Sequence, residues 1–274
     1  MFDWLRRRNE LARRFVEVVR AVDPGVEARI VSRHAVELRG EDGARCICSL
    51  ESLAAGSALP GGIGDDDIQR HVVTALRTLR PLPATVELDR VLALVKPAGW
   101  AEGACDDARE RPLVRHVAKG LEAVVVEEID GCLRFVAERH LQASALAAPA
   151  LHEAAIANLE AQAAAASIGA TDEAGILLVN LAARPSFNAT LALLPSIWRR
   201  AEAMFDGDAL VCAMPERDFC LFARATDAAA VGTLCDDLAP SLFDGGAHPL
   251  SRTLWRLVDG RLDPLPADGH ARIG

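Results

Sequence analysis

Apolar residues at Trp4, Leu5, Leu11, Phe15, Val18, Val19 and Val22 recur at intervals close to three and four, which places them on one face of a helix over residues 3–22. Asp23, Pro24 and Gly25 stop that helix. The period then shortens: residues 26–32, 35–38 and 44–50 read as three strands, with a turn at Gly40 to Gly43 between the last two. Asp65, Asp66 and Asp67 next give a helix over residues 68–79 an acidic start that suits its dipole. An α-β-β-β-α module therefore closes near Leu79, and Pro81 and Pro83 mark a boundary after it.

Beyond the prolines the pattern is longer and more mixed. Residues 91–95 form a short apolar strand ended by Lys96 and Pro97, and residues 100–111 are polar, a loop or frayed helix. Residues 121–129 and 132–136 pair around Asp130-Gly131, a dipeptide suited to a tight hairpin. The Ala-rich stretch 148–166 is a helix, residues 176–181 a strand, and residues 189–205 an amphipathic helix interrupted early by Pro195. Two apolar runs, 209–214 and 219–223, flank a charged corner, Pro215-Glu216-Arg217-Asp218. A helix over residues 227–238 follows, then strands 252–258 and 262–265 around Asp259-Gly260. Strand pairs joined by two-residue turns are antiparallel, so the pattern predicts an α+β fold: the small module over 1–80, a linker with a short strand over 81–112, and a larger, mainly antiparallel sheet unit with packed helices over 113–274.

Composition narrows the function classes. The chain has 274 residues, 51% hydrophobic and 25% charged, which suits folded domains rather than disorder. A net charge of −9 argues against general nucleic-acid binding, which draws on a surplus of Lys and Arg. No run approaches the roughly 18 to 20 apolar residues of a membrane helix. Seven cysteines, an odd number, and a start without an apolar signal core point to reduced thiols and a cytoplasmic location. The first 20 residues carry six arginines against three acids. There Phe2 and Trp4 beside Arg6 to Arg8 offer a surface for an anionic membrane or an acidic partner, or simply a helix packed on its own strands.

Several motifs together resemble the YtpQ-like family of bacterial proteins, an uncharacterised group also labelled as a domain of unknown function. They are Lys96-Pro97 after an apolar strand, Leu151 to Ala154 through Asn158-Leu159, Asn188 to Leu193 leading to Trp198, Met214 to Asp218, and His248 to Ser251. The order is the family's and most of the chain is covered. The resemblance implies a cytoplasmic bacterial protein and carries no catalytic residues with it.

Candidate chemistry is sparse. Arg217 in the charged corner offers a planar fork to a carboxylate or phosphate, or pins the hairpin by an ion pair with Glu216, Asp218 or a neighbouring helix. Lys96 and Lys119 are the only lysines in an arginine-biased chain, and a retained lysine can serve as a point charge or a titratable amine. Asn158, inside a strong helix, calls for a hydrogen-bond partner, and His152 six residues earlier lies on a different face. Asn188 is a further candidate contact. Cys46 and Cys48 share one side of a strand but lack the two further ligands zinc requires, so they read as small hydrophobes. Asp65 to Asp67 lack the spacing of a calcium loop, and Gly61 to Gly64 lacks the Lys-Ser/Thr of a phosphate loop. Nucleophile signatures are missing and the seven histidines are scattered.

No cofactor and no metal is expected. Two readings remain: a non-enzymatic binding or adaptor protein for a protein or a small anionic ligand, and a hydrolase-like enzyme acting on an anionic small molecule in an interdomain cleft lined by Lys96, Arg217 and Asp218.

Overall fold

The computed structural model describes residues 10–32, 35–40, 45–50, 53, 64–77, 79, 83–104, 111–129, 132–173, 175–246 and 248–265. Contacts divide the chain into Met1–Pro83 with Ile129–Leu133, and Ala84–Glu128 with Arg134–Gly274. The fold is α+β, and each strand pairing whose register is described is antiparallel.

The smaller unit holds α1 (Glu10–Val22), β1 (Glu27–Ser32), β2 (Ala35–Arg39), β3 (Arg45–Ser49) and α2 (Asp65–Arg77), with the strands in the order β1-β2-β3. Ala12, Phe15, Val16 and Val19 are the buried positions of α1, and they meet Val36, Leu38, Leu50, Ile68 and Val72 in one core. The stripe is rotated from the expected one, since Val22 is exposed and Leu11 and Val18 lie at the core's margin. α2 begins three residues before Ile68, so the acids form its first turn. Asp67 Oδ2 accepts from Gly64 N–H at 3.2 Å, and Asp65 pairs with Arg14 of α1 at 2.6 Å. That accounts for the acidic run as helix start and helix-helix tie. Phe2, Trp4, Arg6 to Arg8, Gly61 to Ile63 and the Cys46 side chain lie outside the described residues.

In the larger unit β4 (Val91–Pro97) leads through α3 (Trp100–Ala104) to β5 (Val114–Ala118), β6 (Leu121–Ile129) and β7 (Cys132–Phe135), of which Ile129 and Cys132–Leu133 group with the smaller unit. β6 is central, with β4 and β5 on either side and β7 also paired to it. The segment expected to link the units thus contributes a full strand to a sheet. α4 (Glu138–Ser144), α5 (Ala148–Ala163), β8 (Ser167–Ala170), β9 (Ile176–Asn180), α6 (Pro195–Met204), β10 (Leu210–Ala213), β11 (Cys220–Arg224), α7 (Ala228–Gly232), α8 (Ala239–Gly245), β12 (Leu254–Val258) and β13 (Arg261–Pro264) follow. The second sheet runs β13-β12-β10-β11-β9-β8.

One face of that sheet, with Val179, Cys212, Phe222 and Trp255, shares a continuous core with Val91, Val124, Leu151, Leu159 and Trp198. Its other face, with Ile176, Val211, Leu221 and Ala223, is covered by Ala230, Val231, Leu234 and Ala239. The expected helix over 189–205 is two elements. Ala189–Leu193 is a 3-10 turn, and Pro195 opens α6 rather than interrupting it, because the first helical turn has no use for the N–H that proline lacks. The helix expected over 227–238 continues, through a wide turn at Thr233–Leu238, to Gly245.

A buried ion pair clamps β6 to β7. Arg134 reaches Glu127 Oε2 through Nε at 2.8 Å and Nη2 at 2.5 Å, while Glu127 Oε1 accepts from Glu87 N–H at 2.8 Å. Both side chains are under a tenth exposed.

Candidate ligand site

The charged corner is more than the tip of the β10–β11 hairpin. Its backbone pairs with a later segment: Pro215 C=O accepts from Leu250 N–H at 2.9 Å, Arg217 N–H donates to His248 C=O at 3.1 Å, and Met214 C=O accepts from Ser251 N–H at 3.2 Å. On its other side Arg217 C=O accepts from Ala189 N–H at 3.1 Å. Four buried or half-buried backbone groups are thereby satisfied, which is why a polar turn can sit against a core.

The side chains follow from that frame. Glu216 is 5% exposed, and its two oxygens accept from Asp218 N–H at 2.8 Å and His248 N–H at 3.2 Å. Burial raises its pKa above the ordinary carboxylate value, opposed by the backbone donors and by Arg217. Arg217 Nε pairs with Asp218 Oδ1 at 2.9 Å, and its terminal nitrogens have no partner among the described residues. The buried Asn188 pins the corner: Oδ1 accepts from Leu181 N–H at 2.8 Å and Nδ2 donates to Asp218 C=O at 2.9 Å. Gly246 packs against Glu216, and a Cβ there would collide with Glu216 Cγ and stand 2.7 Å from Leu242 C=O. Gly246→Ala should therefore destabilise the protein by about 1–3 kcal/mol, the usual range for overpacking. Denaturant unfolding with an unchanged midpoint would remove that account.

Lys96 joins the corner from β4. Val95 N–H donates to Thr190 Oγ1 at 3.0 Å, and Thr190 follows the Ala189 that binds Arg217, so two hydrogen bonds bring the end of β4 beside the corner. Lys96 is 8% exposed, its Nζ 4.5 Å from the Trp100 ring centre and 5.9 Å from that of Phe135. Glu122 lies opposite in the β4–β6 ladder but accepts instead from Gly99 and Ala101 N–H at the start of α3, each at 3.2 Å. Among the described residues no carboxylate is within ion-pair distance of Lys96. Burial first, and then the Arg217 charge, lowers its pKa to about 8 despite the opposing pull of Glu216. Arg217 is paired with Asp218 and its charge acts on Lys96, and all three residues lie in the larger unit rather than in the expected interdomain cleft.

Asn158 serves elsewhere. Its Nδ2 donates to Leu88 C=O at 2.7 Å and Val91 C=O at 2.9 Å, tying α5 to the start of β4. Asn158→Ala should lower stability by about 1–3 kcal/mol, since it strands two carbonyls. A loss under a few tenths in urea titration would show that water replaces the amide.

Alternation along β4 sends Lys96 to one face of the first sheet and Ala93 to the other. On that other side lies a cavity of about 580 Å³ lined by β4, β5, β6, α5, the 3-10 turn at Ala189–Leu193 and the β12–β13 hairpin. Ala93, Ala123, Ile156, Leu193, Leu257 and Leu262 give it apolar walls. Arg115, His116, His152 and Arg261 give it polar ones, with no carboxylate among the described lining residues. Arg115 and Arg261 have no ion-pair partner among the described residues. His152 is buried, and burial followed by the nearby Arg115 charge lowers its pKa, so its imidazole is neutral near pH 7.

Sequence reasoning missed this site. His152 was visible as a polar spot in an apolar helix, but Arg115-His116 lies on a strand without clear alternation, and nothing local ties it to Arg261. Among the described residues no group of three or more His, Cys, Asp or Glu is placed to hold a metal. Cys212 and Cys220 are fully buried thiols 3.9 Å apart. Among the described residues no helix is long and apolar enough to cross a membrane. No protein-family model, no curated protein and no solved structure matches the chain, so the functional reading rests on these geometries.

Proposed function

We propose that the protein is a non-enzymatic binding protein that holds a small anionic ligand in the cavity of its larger unit. The observation that carries this reading is the pairing of Arg115 and Arg261, neither neutralised by an acid among the described residues, around one concave space free of described carboxylates. A volume of about 580 Å³ suits a small metabolite. Two guanidinium groups recognise a carboxylate or phosphate by charge-assisted hydrogen bonds, and neutral His152 adds one donor and one acceptor. The apolar walls favour a ligand with a hydrocarbon body behind its anionic end. Free, buried Cys212 and Cys220 favour a reducing, cytoplasmic setting.

The test is a thermal-shift and calorimetric survey of small carboxylates and monophosphates. At least one class should raise the melting temperature saturably, and Arg115→Ala and Arg261→Ala should each weaken it by about 10- to 100-fold, as expected for charge-assisted bonds. Equal shifts in the wild type and the double variant, or none from any anion, would overturn the reading. The gathering of Lys96, Arg217 and Asp218 is the one observation that favours chemistry at a second place.

A further inference from the structure

We infer that Lys96 is a carbonyl-capturing amine, forming an imine with an oxo acid whose carboxylate is held by Arg217. This goes beyond the cavity reading and uses the opposite face of the first sheet. The geometry is the argument. Lys96 is buried, yet no carboxylate pairs with it among the described residues. The acid across the ladder, Glu122, is committed to two backbone N–H groups, and so is Glu216. Around the amine stand Trp100 at 4.5 Å and Phe135 at 5.9 Å, while the Thr190–Ala189 link brings the backbone of the Glu216–Arg217 corner beside β4, and of those two side chains the Arg217 charge acts on Lys96 more strongly than Glu216 does.

Among the described residues Arg217 spends only Nε on Asp218, which leaves its fork for a carboxylate. A ligand carboxylate placed there neutralises the neighbouring cation and presents its adjacent carbonyl carbon to Nζ. The rings over the amine face outward in part, Trp100 half-buried and Phe135 36% exposed.

The step balances without any redox partner. The neutral amine's lone pair adds to the carbonyl carbon, the C–N bond becomes a double bond, and the carbonyl oxygen departs as water with the amine's two protons. A desolvated lysine beside a second cation is the arrangement that makes an amine nucleophilic near neutral pH. The lowered pKa of Lys96 accords with that.

The chain carries its own control, because Lys119 is the only other lysine and is exposed. The full chain is incubated at pH 7.5 with glyoxylate and cyanoborohydride, which reduces any imine to a stable secondary amine, and the modified lysines are mapped by peptide mass spectrometry. Lys96 should be labelled at least about tenfold faster than Lys119, and with acetaldehyde, which lacks the carboxylate, that preference should collapse. Arg217→Gln should lower the glyoxylate preference by about tenfold, the low end for a charge-assisted contact, and leave the acetaldehyde ratio unchanged. Faster or equal labelling at Lys119, or a Lys96 preference that is the same for both aldehydes, overturns the proposal. Both comparisons are made within the wild-type chain, so they decide even where the variant fails to fold. They are independent of anion binding in the cavity, which Arg115→Ala and Arg261→Ala report.

Discussion

Glu127→Ala should destabilise the larger unit by about 3–5 kcal/mol, the largest single effect expected outside the apolar core. The size follows from what is left behind. Arg134 would keep its charge in a place where its side chain is 8% exposed, and Glu87 N–H would lose its acceptor. Arg134 Nη2 also binds Thr85 C=O at 2.5 Å, so the guanidinium is held in place and cannot swing out to water without breaking a second contact. Replacing both partners by apolar residues of similar volume, Glu127→Met with Arg134→Leu, should restore most of the loss, because the desolvation penalty disappears together with the attraction. Urea unfolding of the two single variants and the double variant measures this. A Glu127→Ala loss below about 1 kcal/mol would mean that the pair is solvated and the clamp is not what joins β6 to β7.

Lys96→Met should do the reverse and stabilise the protein at neutral pH. Below pH 8 the folded and unfolded chains both carry the Lys96 charge, but the folded one carries it buried beside Arg217. A fall from the ordinary value of 10.5 to about 8 corresponds to about 3 kcal/mol of penalty on the charged form. Between pH 8 and 10.5 the unfolded chain holds more protons at this position, so the wild type gains stability as pH rises through that window. Met keeps the aliphatic stem over Trp100 and removes the charge. The variant's advantage should therefore be about 1–3 kcal/mol at pH 7, after allowance for the lost cation–π contact, and shrink steadily toward pH 10. Comparing the two proteins at each pH removes the titration of the cysteines, common to both. A wild-type advantage at pH 7, or a difference independent of pH, would contradict the buried unpaired amine.

The hairpins were the most legible part of the fold. Asp259-Gly260 announces itself because a tight turn needs particular residues between two apolar runs, and strands paired this way fix an antiparallel, α+β result, while the Asp130-Gly131 turn lies outside the described residues. Pro195 was misplaced by local reasoning, since proline breaks a helix interior but begins a helix well, and only the 3-10 turn before it shows which applies. β5 and β8 were invisible as strands: Val114 to His116 are exposed and Ser167–Ala170 is small and largely exposed, so neither shows the alternation that burial of one face imposes.

For the site, the residue type at Lys96 and the charge at Arg217 could be read directly, and their proximity could not. It depends on Ala189 and Thr190 bonding to segments that lie far from them in sequence. The cavity is harder still, because its polar groups come from positions 115, 116, 152 and 261, each unremarkable among its neighbours.

The wall made by Gly260, Arg261 and Leu262 has a consequence for biosynthesis. A ribosome that has translated as far as the end of α5 has already joined Ala93, Arg115 and His152 into the chain, but the second guanidinium is about a hundred residues away. The cavity is therefore assembled only after the β12–β13 hairpin docks, and a nascent or truncated chain lacking residue 261 holds only one of the two guanidinium groups that line it. The cavity wall would thus close only once the β12–β13 hairpin has emerged and folded onto the earlier elements.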